Sequence, residues 1–541
     1  MIQKLKIALL TIVVASITFG FTTYKNDFFE IAKQIEIFTN LYKEVNMNYV
    51  DEVSPSELMD TAIEAMLKDL DPYTVYWNEQ EIQNARIQNS GNYTGIGADI
   101  QTEAEDILII NIIKDSPADK AGLKIGDKIT KIGNISVENY NEDAGELLKG
   151  APNSEVQLEF FRNGNKQQTT LKRGVVKIKA VPYYELLENK TAYIVLSQFT
   201  RSASAEVIDA FQELKEKGAE RVILDLRNNP GGLLSEAVNV SNIFIEKGTT
   251  ITYTKSVIEK YNKTYPTRNK AIDTEIPVAV LINEKSASAS EIVSGSIQDL
   301  DRGVVIGSRS FGKGLVQRPK KLNYGTQAKI TISRYYTPSG RCIQALDYKD
   351  GESVRKDESE YTEFKTRSGR SVYDGGGVKP DIEIEVEKES DVVKALQQKD
   401  MIFDFANKFY YENKDLKIDD FTFESNLIKD FQKFLKKENF IYETETDKAL
   451  DVLKNKAKTE NNTWQNISKS VADLEKELQK EKEKAIENET ETIQKMLTEA
   501  IIRRYGYDDR VYQYYTEKGQ NIQTAIKILT DKDQYNSILK I

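Results

Sequence analysis

Pro277-Val-Ala-Val-Leu-Ile-Asn-Glu-Lys-Ser-Ala-Ser-Ala-Ser-Glu-Ile292 joins an unbroken apolar run to a crowd of small side chains. The run Pro277–Ile282 has the length and composition of a strand buried on both faces. A helical pattern opens a few residues later and covers 289–299. Strands of the same type recur at Ala192–Leu196, Arg221–Asp225 and Gly303–Ile306, with helical patterns at 203–217 and 233–246 between them. Alternation of this kind predicts an α/β layer domain, here over residues 179–387.

The period changes on either side. Within 84–178, short alternating runs such as Ile107–Ile113 and Val156–Phe161 are separated by turn signals such as Asn163-Gly164. One helix-like stretch, 142–148, interrupts them, and the whole reads as a compact β module. Residues 26–83 carry apolar positions at three- and four-residue steps (Phe28, Ile31, Ile35, Phe38, then Leu58 to Leu70), a helical pattern that Asp71-Pro72 ends. Residues 388–541 are helical and highly charged. Ser468–Ala500 reads as a solvated helix with a narrow packing stripe at Leu474, Leu478 and Met496, a coiled coil being the alternative. The first 25 residues place Lys4 and Lys6 ahead of an apolar run at 7–21, the pattern of an export signal or a membrane tether. The fold class expected is therefore mixed α/β and α+β, multidomain.

Composition narrows the chemistry. The 541 residues include 75 Lys plus Arg against 85 Asp plus Glu, a formal net charge of −10. This argues against nucleic acid as a partner. Histidine is absent and Cys342 is the single cysteine. A histidine-based triad, a His-ligated metal and an internal disulfide are thereby excluded. Any reaction must use Ser, Thr, Lys, Tyr, carboxylates or backbone.

Ser286, Ser288 and Ser290 crowd with Ala287 and Ala289 at a strand-to-helix turn, the setting of a nucleophilic serine whose following N–H faces an oxyanion. A helix N-cap accounts for the serine equally well. Without histidine, lysine is the natural base, since burial disfavours the ammonium. Lys313 in Ser310-Phe-Gly-Lys-Gly314 lies 25 residues after Ser288, with Phe311 as apolar cover and Gln317 four residues on as an orienting group. A solvated lysine in a glycine loop is the plainer alternative. Asp225-Leu-Arg-Asn-Asn-Pro-Gly-Gly232 runs from a strand into a glycine turn whose Gly231 and Gly232 N–H groups are candidates for the other half of an oxyanion hole. It lacks the phosphate-binding signatures of nucleotide sites.

Taken with Arg334-Tyr-Tyr-Thr-Pro-Ser-Gly-Arg341 and Gly377-Val-Lys-Pro-Asp381, these motifs in this order resemble the C-terminal processing peptidases, or tail-specific proteases. The resemblance covers roughly residues 27 to 385. It implies a crotonase-like core with Ser288 as nucleophile, Lys313 as base and Gln317 completing the set, needing no metal or cofactor. It also implies that 84–178 is a PDZ domain. Tyr93-Thr-Gly-Ile-Gly-Ala98 resembles its carboxylate-binding loop, with Gly95, Ile96 and Gly97 as the carboxylate site, and Ser116–Asp127 resembles its most recognisable stretch. The expected partners are proteins with apolar free C-termini, met in the periplasm or cell envelope, and an oligomer is compatible with the pattern. A catalytically silent PDZ adaptor and a crotonase-type acyl enzyme are the rival readings. The intact Ser288, Lys313 and Gln317 speak against both. Residues 388–541 receive no role.

Overall fold

A computed structural model describes residues 28–541 apart from 104, 139, 141–142, 350–351, 386–388, 419–424 and 461–462. The expected export segment, 1–25, lies outside the described residues. Among those described, no helix is long and apolar enough to cross a membrane. The chain divides into two compact units.

The smaller unit comprises residues up to Asn78 with Gln317–Thr331 and Tyr348–Ser353. Its helices span residues 28–48 and Pro55–Lys68, the second opened by Ser54 at the N-cap and Pro55 behind it. The sequence's apolar rhythm is present as helix. Phe28, Ile31, Ile35 and Phe38 nevertheless all lie exposed. The strand Val75–Trp77 pairs antiparallel with Gln327–Lys329.

The larger unit is built on a six-stranded sheet in the order Tyr183–Leu187, Thr191–Val195, Arg221–Asp225, Val278–Ile282, Val304–Gly307, Ile382–Glu383. The first pair is antiparallel and the others parallel. Its three central parallel strands, Arg221–Asp225, Val278–Ile282 and Val304–Gly307, have almost every residue buried, as strands covered on both faces must. One face carries helices Ala203–Glu216, Leu234–Ser241 and Ala289–Asp299, packed through Val207, Phe211, Val240, Ile292 and Ile297. The other face is covered by Gln520–Thr530 and Lys532–Leu539, through Ile522, Ala525, Ile528, Leu529 and Leu539. The final residues of the sequence are thus the third layer of the α/β domain.

The β module has its own core of Ile107, Ile109, Leu123, Ile129 and Leu158. A helix, Glu79–Ser90, precedes it and runs through the boundary expected at 83/84; the helix-like stretch at 142–148 is a short 3-10 helix, Ala144–Leu148. Residues 391–518 form a further helical core around Leu396, Phe405, Phe431, Leu497 and Ile501. Thr463–Asn488 buries only Val471 and leaves Leu474, expected in the packing stripe, 46% exposed; the expected single helix over 468–500 is two, Met496 lying in the second, Thr490–Lys518, which buries seven residues. The latter breaks at Tyr507 (φ 58°, ψ −166°). There it touches the β module: Tyr507 Oη donates to Asp119 Oδ1 at 2.7 Å and Asn111 Nδ2 donates to Asp508 Oδ2 at 3.2 Å.

Candidate functional site

The buried strand Val278–Ile282 delivers the chain to a tight turn, and Ser288 stands there at φ 55° and ψ −109°. A side chain at positive φ is strained, and such strain is characteristic of serines presented at a strand-to-helix turn. The neighbouring serines are committed to structure. Ser286 Oγ donates to Leu226 O at 2.8 Å and Ser290 Oγ to Asn229 O at 2.9 Å, both from fully buried positions. Ser288 is half-buried. This difference in exposure singles out the middle serine.

Glu291 organises the turn. Its side chain is fully buried. Oε2 accepts from the Ser288 N–H at 2.7 Å and the Lys313 N–H at 2.9 Å. Oε1 accepts from the Gly312 N–H at 2.7 Å and Ser310 Oγ at 2.6 Å. One carboxylate therefore fixes the backbone of the serine turn to the backbone of the lysine loop. Burial pushes its pKa up to about 6, against four donors that favour the ionised form. Phe311 N–H adds a bond to Ser286 O at 3.0 Å, and Tyr335 Oη donates to the Ser288 carbonyl at 3.1 Å. Sequence reasoning assigned Glu291 no role. The available signal was the Ser-x-x-Glu spacing of a capping box. Phe311, 43% exposed, ties the loop to the turn through its backbone N–H.

The glycine turn lies against this site. A Cβ on Gly231, whose φ is +102°, would stand 2.9 Å from Ser288 Cβ and 3.0 Å from the Ala289 nitrogen. Only glycine fits. The loop is fixed by paired amides: Asn228 N–H donates to Asn283 Oδ1 at 2.8 Å and Asn283 Nδ2 to Asn228 Oδ1 at 2.9 Å. The Gly231 N–H, one of the expected oxyanion donors, is engaged by Asn229 Oδ1 at 2.9 Å. Ala289 and Gly232 N–H groups have no acceptor among the described residues. Upstream, Arg227 and Tyr193 both hydrogen-bond Asp225, fixing the strand end.

The motifs at 334–341 and 377–381 are struts for the helix behind Ser288. Arg341, fully buried, donates to Asp299 Oδ1 at 2.8 Å and Gln298 Oε1 at 2.7 Å. Asp381 accepts from Gln298 Nε2 at 2.9 Å and the Val305 N–H at 2.8 Å. Gln317 belongs to the smaller unit. There its Nε2 donates to Thr331 Oγ1 at 3.2 Å, which donates in turn to Asp71 Oδ1 at 3.2 Å.

In the β module, Gly97 takes φ +79°, and a Cβ there would lie 2.3 Å from Ser116 Cβ. The loop's carbonyls are tied inward. Ile96 O accepts from the Ala118 N–H at 2.7 Å, and Gly97 O from the Ile113 N–H at 3.0 Å and Ser116 Oγ at 3.0 Å. A groove of about 500 Å³ adjoins this loop, with Tyr93, Ile96, Ala98, Ile100 and Leu148 in its wall.

Comparison with known proteins agrees with this architecture. Residues 190–354 match peptidase family S41, 94–172 a PDZ domain, 20–81 the N-terminal domain of the activating protease CtpB, and 392–529 the C-terminal helical domain of probable PDZ-proteases. A probable CtpA-like serine protease of Staphylococcus aureus (strain bovine RF122 / ET3-1) is 34% identical over 314 residues, 57% of this chain and 62% of the relative. One from Staphylococcus epidermidis is 34% identical over 323 residues, 59% of this chain and 64% of the relative. The chain thus spans a little under two thirds of the length of these curated relatives. Among solved structures, the photosystem II D1 C-terminal processing protease is 27% identical, with 59% of this chain and 91% of that one covered at a TM-score of 0.34. The S41 match over residues 190–354, the PDZ match over 94–172 and the CtpA-like relatives together support the C-terminal processing peptidase family for this chain.

Proposed function

We propose that the protein is a serine endopeptidase that uses Ser288 as nucleophile and Lys313 as general base. The observation that carries the reading is the Glu291 carboxylate holding both residues' backbones on one oxygen. Two segments so far apart in sequence are aligned for a single task.

In the reaction, the neutral Lys313 amine takes the hydroxyl proton as Ser288 Oγ attacks the scissile carbonyl. The Ala289 and Gly232 N–H groups receive the oxyanion. The ammonium then protonates the departing amine, leaving an ester on Ser288. Water, deprotonated by the same lysine, attacks the ester; the Oγ–acyl bond breaks, the ammonium returns its proton to Ser288 Oγ, and the new carboxyl end is released. Gln317 orients the lysine in this scheme, as the family pattern implies. The PDZ domain selects substrates by a free apolar C-terminus, through the nest at Gly95, Ile96 and Gly97. Export through the N-terminal segment would bring the enzyme to its substrates in the cell envelope.

A serine-reactive fluorophosphonate probe tests the chemistry. It should label the purified protein and leave Ser288→Ala unlabelled. Equal labelling of the two would remove Ser288 as nucleophile. Cell fractionation tests export.

A further inference from the structure

The Asp71-Pro72 break after the second N-terminal helix has no part in the scheme above, yet it lies in the same compact unit as Gln317. Asp71 and Thr74 are buried there, at 8% and 4% exposure. Asp71 Oδ1 accepts from the N–H groups of Tyr73 and Thr74, both at 2.8 Å, and so closes the turn on itself. Thr74 Oγ1 donates to Asp71 Oδ2 at 2.9 Å and accepts from the Thr331 N–H at 3.1 Å. Thr331 follows Gln327–Lys329, the residues that pair with the strand Val75–Trp77, so turn and strand are held in register. Its hydroxyl has two roles: Oγ1 donates to Asp71 Oδ1 at 3.2 Å and accepts from Gln317 Nε2 at 3.2 Å. The bonds therefore run without a gap from the buried carboxylate to the amide of Gln317.

The directions along this chain of bonds are fixed at its origin. A carboxylate offers only acceptors, so Thr331 points its single O–H at Asp71 and turns a lone pair to Gln317. The amide can meet that lone pair only with its NH₂, which leaves Oε1 for a different donor. Burial holds the ammonium of Lys329, on the strand that carries Thr331, below its ordinary range, and the Asp71 charge opposes the shift. A lysine acting as base needs its nitrogen lone pair on the serine hydroxyl and has N–H bonds to give elsewhere. Gln317 Oε1 can accept one of them. The reversed amide would instead offer an N–H to the lone pair and occupy it. We propose that Asp71, acting through Thr331, sets the direction of the Gln317 amide so that its oxygen, not its nitrogen, is presented to Lys313. Asp71 and Thr331 are thus positioning residues. The inference rests on the reading of Gln317 as the group that orients the lysine, and names what orients Gln317 in turn.

The test is the rate at which a serine-reactive fluorophosphonate labels the full chain, followed from about pH 6 to about pH 10, where a lysine base gives an alkaline limb. Thr331→Val keeps the shape and suits the strand but deletes the hydroxyl, so the amide can reverse. Its plateau rate should fall about tenfold and its limb should move to lower pH, because a bond to the amide oxygen favours the ammonium. Thr331→Ser keeps the hydroxyl and should restore both. Added to Gln317→Ala, Thr331→Val should change neither any further, since its effect passes through the amide. Asp71→Ala, which lets the Thr331 O–H point at Gln317, should show the shifted limb. The position of the limb does not depend on how much protein is folded, so lost stability cannot imitate these results. A parental profile in Thr331→Val, with Gln317→Ala shifted, would overturn the inference alone. So would effects that multiply in the double variant, or a Thr331→Ser as impaired as Thr331→Val. A parental limb in Asp71→Ala would overturn Asp71 as the origin of the direction. A parental profile in Gln317→Ala would remove the orienting role of Gln317 and this inference with it, and leave Ser288 and Lys313 standing.

Discussion

Both faces of the central sheet are packed through apolar side chains, but only one adds a dense polar network to that packing. On one face, the helix Ala289–Asp299 presents its N-terminal turn to the proposed chemistry, and polar bonds at both ends add to its apolar packing through Ile292 and Ile297. Glu291 collects four donors, while Arg341 and Asp381 brace the far end. On the other, Gln520–Thr530 and Lys532–Leu539 lie against the sheet through apolar side chains, with Arg221 Nε to Leu529 O at 3.0 Å among the few polar bonds across the contact. Directional bonds fix a geometry; apolar burial supplies free energy with little directionality. Changes at the serine and lysine turns of the first face should therefore damage rate more than stability, and changes to the apolar cover of the second should do the reverse.

The largest effect expected is loss of turnover on the polar face. Ser288→Ala and Lys313→Ala should each lower kcat/KM by at least about 10⁴-fold, with little change in unfolding temperature. Lys313→Arg should fail as well, since a guanidinium stays protonated and cannot accept the serine proton. Retained turnover in the arginine variant would refute the lysine base. Gln317→Ala should displace the alkaline limb of the pH–rate profile; an unmoved limb would remove its orienting role.

The apolar face should respond in the opposite sense. Ile522 and Leu529 are buried to within a few per cent. Truncating either to Ala should cost about 2–5 kcal/mol of stability by urea unfolding and leave kcat of the folded fraction intact. If Leu529→Ala were stable but slow, the two faces would not be separable in this way.

This division also explains what was legible in the sequence. Strands buried on both faces announce themselves as continuous apolar runs, so the elements around Pro277–Ile282 and the helix at 289–299 were read almost to the residue. Glycines that must approach the serine turn were visible because so few residue types fit there. Gln520–Thr530 was not legible as a sheet cover. An amphipathic helix records that it has an apolar face but not what covers that face, and its partner strands lie more than 200 residues away. The exposed apolar positions at Phe28 to Phe38 show the same ambiguity from the other side. Glu291 was overlooked because a buried carboxylate is defined by the donors folding brings to it, three of them backbone or side-chain groups 19 to 22 residues further on.

Glu291 sharpens the comparison, because its charge state should move rate and stability in opposite directions. Burial raises its pKa from 4.5 to about 6 in the folded chain, so between these values the native state binds more protons than the unfolded state. Stability attributable to this group is present at the acid end and falls as pH rises through about 6, by about 2 kcal/mol in all. The ionised form is nevertheless the one that accepts all four donors. Activity should rise across the same interval, giving an acid limb near pH 6 distinct from the alkaline limb of the lysine. In Glu291→Gln, which presents an NH₂ to two of the donors, kcat should drop at least tenfold and the acid limb disappear. An acid limb that survives in Glu291→Gln would show that another group produces it.

The smallest effect concerns the contact between the long C-terminal helix and the β module, where polar and apolar anchoring meet in one residue. The Tyr507 ring packs on the module's core while its hydroxyl donates to Asp119, and its backbone takes the strained φ of 58° at the helix break. Tyr507→Phe keeps the ring and deletes the hydrogen bond. The bond is to a carboxylate but only partly buried, so its loss should cost about 1 kcal/mol, a fall of one to a few degrees in unfolding temperature. Tyr507→Ala removes the ring as well and should cost more. If the contact only adds stability, both variants should cleave a short peptide and a long tailed protein in the same ratio as the parent. A change in that ratio would show that the helix break carries information from the β module to the core. In that case the C-terminal region would belong with the polar, geometry-setting face and not with the apolar one.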